Sequence, residues 1–170
     1  PDNSSYFLGH YLFEKTQGNR YELIDGQQRL TTTVIFMSCL VKELRKRKIV
    51  GFDYNNMQYA TEQIYERYLQ PRYGSQKFET VPEDSSFFNR LIIECDSDYR
   101  IETGRRSERR IREASSFFEE KMATQTEEGT LFKWFHVIDN AIITTFLLSG
   151  ESAKLTATQI FAFQNDRGLG

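Results

Sequence analysis

The sequence is poor in proline and tryptophan, and in cysteine and histidine, which hold many small folds together through disulfides or metals. Its 170 residues include two cysteines, two histidines, three prolines and one tryptophan. Cys39 and Cys95 are predicted to be free thiols, because nothing in the sequence is typical of a secreted disulfide scaffold. His10 and His136 lie far apart and have no metal ligand at a useful spacing. The sequence therefore predicts no metal site made by the protein alone.

Long apolar runs and an excess of positive charge are also missing. No apolar run approaches the roughly 20 residues that a membrane span requires, and no signal peptide is visible. These absences predict a cytoplasmic protein with no membrane partner. Lysine and arginine total 22 against 24 aspartates and glutamates, for a net charge of -2. Nucleic-acid binding would therefore have to depend on a local basic patch.

The composition is that of a folded domain. Apolar residues make up 39%, charged residues 27% and aromatic residues 14%, which excludes a disordered or collagen-like chain. The length predicts a single domain over residues 1–170. Since the chain begins at Pro1 without a methionine and stops at Gly170, we expect it to be a piece of a longer protein, truncated at both ends.

Hydrophobic periodicity predicts an α-rich α+β fold with a small sheet. The predicted strands are residues 6–15, 20–25, 76–81 and 141–148, the first two forming a hairpin. The predicted helices are residues 27–48, 55 or 56 to 69, 83–94, 107–122, 131–139 and 151 or 152 to 163. In the first of these helices the apolar spacing predicts a central, buried element: Leu30, Val34, Met37, Val41 and Leu44.

The segment Asp25–Arg29 (Asp-Gly-Gln-Gln-Arg) lies where a predicted strand turns into the long helix. A helix N-terminus leaves backbone N–H groups unpaired and favours phosphate. Gly26 would let the backbone approach a ligand, Arg29 would offer a forked cation, and Thr31 or Thr32 could offer a hydroxyl. The same residues also suit an ordinary turn followed by a helix cap, so this segment alone leaves both interpretations open.

A second segment, Asn165-Asp166-Arg167-Gly168, follows the last predicted helix. By itself it is typical of a type I turn. Together with Phe7-Leu8-Gly9 and the Asp25–Thr32 motif, however, it resembles the N-terminal domain of GmrSD-type restriction systems. The resemblance extends from Tyr6 to Gly168.

The resemblance implies a small mixed sheet with a ParB/sulfiredoxin-like core. It also implies a regulatory domain in a modification-dependent DNA restriction or phage-defence protein, which binds and hydrolyses a nucleoside triphosphate with Mg²⁺. DNA would be cut by a C-terminal HNH-type nuclease domain outside this chain. Sulfiredoxin chemistry is excluded, because Gln27 and Gln28 stand where the sulfiredoxin cysteine would be. The alternatives are a DNA-binding or ParB-like nuclease module and a non-catalytic interaction domain.

The resemblance also assigns roles to individual residues. The implied catalytic residues are Asp25, Gln27, Gln28 and Arg29. The implied phosphate- or nucleotide-binding residues are Gly26, Arg29, Thr31, Thr32, Asn165, Asp166, Arg167 and Gly168.

A basic run between residues 100 and 112 holds six arginines. Three of them, Arg105, Arg109 and Arg112, share one face of the predicted helix and could contact a DNA backbone. A solvated loop and helix start would have the same composition, so the DNA contact is the less favoured of the two interpretations.

Overall fold

The computed structural model describes residues 5–18, 20–70, 77–96, 99 and 104–149. The chain divides into two compact units. The first is discontinuous and comprises residues 1–30 and 140–170, whereas the second is the continuous stretch 31–139.

The first unit is built on a three-stranded mixed sheet. Strand β1 lies in the centre, antiparallel to β2 on one side and parallel to β5 on the other. These strands confirm three of the sequence predictions: β1 is Phe7–Lys15, β2 is Tyr21–Asp25 and β5 is Ile142–Leu148. β-Branched residues dominate β5, and β1 carries the aromatic residues Phe7, Tyr11 and Phe13, as is usual in strands.

Two irregularities interrupt the pairing of β1. Its register with β5 shifts between Phe7 and Gly9, and its register with β2 shifts between Leu12 and Phe13. Gly9 has a φ of +107°, a conformation that side chains rarely allow. Between the two shifts, residues 9–12 pair with β5 in an unbroken register, so the irregularities lie at the two ends of this short segment.

Helix α1 (Gln27–Lys46) is the buried central helix that the sequence predicts. It begins at the end of the first unit and continues through the second. Met37, Leu40, Val41 and Leu44 are fully buried. Its last turn carries Arg45 and Lys46, whose charges suit the negative end of the helix dipole.

A hairpin replaces the predicted start of the next helix. Strands β3 (Gly51–Tyr54) and β4 (Met57–Ala60) pair antiparallel. Asn55 and Asn56 join them with φ values of 52° and 62°. Two positive φ values are what a type I′ hairpin turn requires, and asparagine tolerates them well. The prediction of a helix that begins at either asparagine was therefore wrong, and α2 covers only Thr61–Tyr68.

The predicted helix 83–94 is present, but it changes type. Helix α3 (Pro82–Phe88) begins with proline in its first turn and continues as a π-helical segment, Asn89–Ile93. Its N-cap is Val81. Residues 77–81 form no strand, so the prediction of a strand at 76–81 was wrong for its described part.

Helices α4 (Arg106–Ala123) and α5 (Glu128–Asp139) complete the second unit. The N-cap of α4 is Arg105, and the hydroxyl of Ser107 donates to Asp84 Oδ1 at 2.8 Å. The α+β class is confirmed. The predicted helix at 151–163 lies outside the described residues. No helix within the described ranges is both long and apolar enough to cross a membrane.

Candidate functional site

The Asp25–Arg29 motif lies at the junction of β2 and α1, in the first unit. Gly26 separates the two elements, and its carbonyl accepts the first hydrogen bond of the helix, from the N–H of Leu30 at 2.9 Å. The glycine has no side chain to cap the helix, and no acidic residue lies in the first turn. The motif therefore presents the positive end of α1 with one carboxylate, that of Asp25, immediately before it and none within the first turn.

Only glycine fits at position 26. Its φ is +94°, and an added Cβ would lie 2.6 Å from Cδ1 of the Tyr11 ring. Tyr11 is 3% exposed, so the ring has no room to move away. The turn thus depends on both the conformational freedom and the small size of Gly26.

Arg29 extends back from α1 over strand β1. Its Nη2 donates to the carbonyl oxygen of His10 and lies 3.6 Å from Oδ2 of Asp25. Its guanidinium carbon lies 5.4 Å from the centre of the Tyr11 ring, within cation–π range. An added Cβ at Gly9 would lie 3.3 Å from Nε of Arg29, so this glycine opens the space that the side chain uses.

The residues that contact Arg29 on β1 are Gly9, His10 and Tyr11, all between the two register shifts. Sequence reasoning missed His10 and Tyr11 as site residues. A glycine within an aromatic-rich strand was the available signal, because such a glycine often marks a bulge or a close approach.

The hydroxyl of Tyr11 is buried and has no hydrogen-bond partner among the described residues. Burial raises the pKa of Tyr11, and Arg29 opposes that rise only in part, through its positive charge and through hydrogen bonding from its side chain. The hydroxyl is therefore neutral near pH 7. A buried polar group without a partner is uncommon and calls for an explanation.

The two glutamines of the motif differ in their surroundings. Gln27 donates from Nε2 to the carbonyl of Leu23 at 2.7 Å, which ties it back to β2. Gln28 is exposed. Farther along α1, Thr31 is half-buried and Thr32 is exposed.

The other predicted nucleotide-binding residues belong to the second motif. Asn165, Asp166, Arg167 and Gly168 lie outside the described residues, so their predicted position beside Arg29 stays a prediction. No group of three histidine, cysteine, aspartate or glutamate side chains that could hold a metal occurs in the described ranges.

The chain matches the family model of the GmrSD restriction endonuclease N-terminal domain over residues 2–170. The chain belongs to the GmrSD N-terminal domain family. This membership confirms the resemblance that the two motifs indicated and makes the chain part of a restriction and phage-defence protein. No curated protein and no solved structure matches the sequence.

The predicted DNA-contacting arginines of this GmrSD N-terminal domain lie in its second unit, around the start of α4. Arg105 donates from Nη1 to the carbonyl of Glu83. Arg112 donates to the carbonyl of Tyr99 at 3.2 Å, and its guanidinium carbon lies 5.2 Å from the ring centre of Phe87. Two of the three arginines are thus engaged in contacts within the unit.

Proposed function

We propose that this GmrSD N-terminal domain binds a nucleoside triphosphate at the start of α1 and hydrolyses it to regulate its restriction protein. The observation that carries the proposal is the junction of Arg29 with Tyr11. A clamped guanidinium lies beside a helix N-terminus that has no acidic cap, and the buried Tyr11 hydroxyl is without a partner among the described residues. Such a site suits an anion with several oxygen acceptors.

The phosphate groups would be held by Arg29 and by the backbone around Gly26. The contact with the His10 carbonyl fixes the arginine, so little side-chain entropy is lost when it binds an anion. The Tyr11 hydroxyl is buried, so a phosphate oxygen would accept from it only after a local shift of the covering side chains. Thr31 or Thr32 would add a hydroxyl donor.

Asp25 is the carboxylate that would hold Mg²⁺, which supplies charge neutralisation between neighbouring phosphate oxygens when it is bound. Magnesium sites of this type use one or two carboxylates and complete their shell with water and substrate phosphates. A cluster of protein ligands is not required, and Asp25 is half-buried within the motif itself.

Gln28 is the residue proposed to orient the attacking water. The side chain of Gln27 is already committed to the Leu23 carbonyl, whereas that of Gln28 is exposed beside Arg29. A glutamine that positions water is a recurrent component of phosphoryl-transfer sites. Gln27 then has a positioning role, since it joins the motif to β2.

The remaining parts of the proposal concern the longer protein. Asn165, Asp166, Arg167 and Gly168 would complete the nucleotide site from the other end of the chain. DNA cleavage would belong to a C-terminal HNH-type nuclease domain, and the protein would act in the cytoplasm. Arg167→Ala tests whether the second motif completes the nucleotide site, since the substitution should then weaken nucleotide binding.

A thermal-shift screen with ATP, GTP, CTP and UTP in the presence of Mg²⁺ tests nucleotide binding. A nucleotide at a hundredfold excess over its Kd should stabilise the fold by about 2.7 kcal/mol. Arg29→Ala should abolish the shift while the protein remains folded. Lys15→Ala, which removes an exposed cation from the end of β1, should retain it. The absence of a shift with all four nucleotides would contradict the proposal.

Release of inorganic phosphate separates hydrolysis from binding. Gln28→Ala should keep the nucleotide-dependent shift and lose most of the phosphate release. If Gln28→Ala released phosphate at the wild-type rate, the role of this glutamine would be refuted while nucleotide binding would stand.

A further inference from the structure

The first two turns of α4 present three arginines that the fold does not use. Arg106, Arg109 and Arg110 are exposed, and no ion pair within the described part of the chain involves them. The other arginines of this segment, Arg105 and Arg112, instead donate to backbone carbonyls. We call Arg106, Arg109 and Arg110 the α4 arginine cluster.

Elsewhere in the second unit, cations are commonly paired with carboxylates. Lys42 lies 3.2 Å from Glu119, and Arg45 lies 2.7 Å from Glu62. The same holds for Lys46 and Arg47 with Glu43, for Arg67 with Asp139 and for Arg90 with Asp96. The α4 arginine cluster departs from this pattern, although Glu108 and Glu113 lie within the same two turns.

The position of the α4 arginine cluster is unfavourable for the helix itself. Arg106 is the first residue of α4, and the N-terminus carries the positive end of the helix dipole. Cations at this end repel the dipole, and the N-cap residue Arg105 makes no side-chain cap hydrogen bond. Helix stability therefore does not account for the arginines, whereas an anionic partner would benefit from both the dipole and the three charges.

We propose that the α4 arginine cluster binds the phosphate backbone of duplex DNA. Residues three and four apart lie side by side on a helix, so the three arginines are attached within about one turn, roughly 6 Å along the axis. Duplex DNA carries one negative charge per about 1.7 Å of its axis, which matches such a density of cations. Because the chain belongs to a restriction family, DNA is the polyanion that we expect it to bind.

The contact is expected to be independent of sequence. Arginines on an exposed helix start reach phosphate oxygens, and phosphate contacts position a protein without reading bases. The α4 arginine cluster also differs from the three arginines that the sequence predicted to contact DNA. Those were Arg105, Arg109 and Arg112, and only Arg109 belongs to both sets. The nucleotide proposal rests on Arg29 and Tyr11 rather than on these arginines, so either proposal can fail without the other.

The test is fluorescence anisotropy of two unrelated 20-base-pair duplexes titrated with the 170-residue chain between 25 and 200 mM salt (roughly the range over which phosphate contacts weaken). The wild-type chain should bind both duplexes alike, with log affinity falling linearly with log salt. The triple variant R106Q/R109Q/R110Q should bind at least about tenfold more weakly at low salt, and its slope should be shallower by up to about three. The charge-matched control K46Q/K48Q/K133Q should change affinity less than about twofold.

Two further measurements distinguish a loss of phosphate contacts from a loss of folded structure. R106K/R109K/R110K keeps the charge and should keep the salt slope. The glutamine variant should melt no lower than the wild type, since it relieves repulsion at the helix start. Failure of the wild type to bind either duplex, an equal loss of affinity in the control, or binding of poly-glutamate but not DNA would each overturn the proposal.

Discussion

The guanidinium of Arg29 lies 5.4 Å from the centre of the Tyr11 ring, and a glycine borders each partner. Gly9 leaves space for the arginine, and Gly26 leaves space for the ring. The two side chains come from different elements, α1 and β1. An added Cβ at Gly26 would overlap the Tyr11 ring at 2.6 Å, whereas one at Gly9 would crowd Nε of Arg29 at 3.3 Å. The packing of Arg29 on the Tyr11 ring, with a glycine beside each, makes the start of α1 rigid. Rigidity is the condition for binding a ligand without large reorganisation.

Tyr11→Phe should affect stability and ligand binding in opposite directions. Removing a buried hydroxyl without a partner should leave the free energy of unfolding unchanged or raise it by up to about 1 kcal/mol. The same change should reduce the nucleotide-dependent thermal shift, because the hydroxyl is then missing from the occupied site. Urea unfolding with and without nucleotide measures both effects. A loss of more than about 1 kcal/mol without nucleotide would show that the hydroxyl has a partner within the protein.

Gly26→Ala should destabilise the protein by roughly 2–4 kcal/mol, since it combines a strained φ with a contact that the Tyr11 ring cannot relieve. Gly18→Ala is the matched control. Gly18 also has a positive φ, +73°, but nothing lies within 4 Å of an added Cβ. Its substitution should therefore cost only the backbone strain, about 1 kcal/mol. Equal losses in the two variants would refute the close packing of Gly26 against Tyr11.

Ser38→Ala should lower the free energy of unfolding by roughly 1–2 kcal/mol. The Ser38 hydroxyl is fully buried and donates to the carbonyl of Ile92 at 2.7 Å. This carbonyl belongs to the π-helical segment, and the change would leave it without that donor. Ser116→Ala, on the exposed side of α4, should stay within about 0.5 kcal/mol of the wild type under the same denaturant titration.

Cys39→Ala should change the response of the protein to alkaline pH. Burial raises the pKa of Cys39 from 9.0 to about 11. Because the folded state favours the protonated thiol, this stabilisation is fully present below pH 9 and is lost as pH rises from 9 to 11. Two pKa units correspond to about 2.7 kcal/mol. The difference in unfolding free energy between wild type and Cys39→Ala should shift by about that amount over this interval, in favour of the variant. A constant difference would show that the thiol titrates normally.

The elements that the sequence predicted well are those with long, consistent patterns. The apolar face of α1 extends over several turns, and β5 is an unbroken apolar and β-branched run, so both were confirmed. The β3–β4 hairpin was missed because Asn55 and Asn56 suit a helix cap as well as a type I′ turn, and only the pairing of the flanking strands decides between them. The π-helical segment depends on tertiary partners such as Ser38, which local periodicity does not reveal.

The candidate site was predictable only within a single segment. Asp25, Gly26 and Arg29 are neighbours in sequence, so their proximity followed from the strand-to-helix turn. Tyr11 and His10 join them through the register of β1 and its two shifts, which the sequence does not specify. The arginines near α4 were predictable to the same extent. Helical spacing indicated that Arg105, Arg109 and Arg112 share a face, but it could not show that Arg105 and Arg112 donate hydrogen bonds within the protein.

The pairing of β1 with β5 has a consequence for how the protein is made. Phe7 of β1 pairs with Ile142 of β5, so the sheet of the first unit joins the two ends of the described chain. On the ribosome, the hairpin and the whole of residues 31–139 emerge before the third strand is available. Contacts between such distant segments form slowly, because a long loop must close before they stabilise anything. We therefore expect the second unit to fold first during synthesis, and the Arg29 junction to reach its final sheet only after Leu148 has emerged.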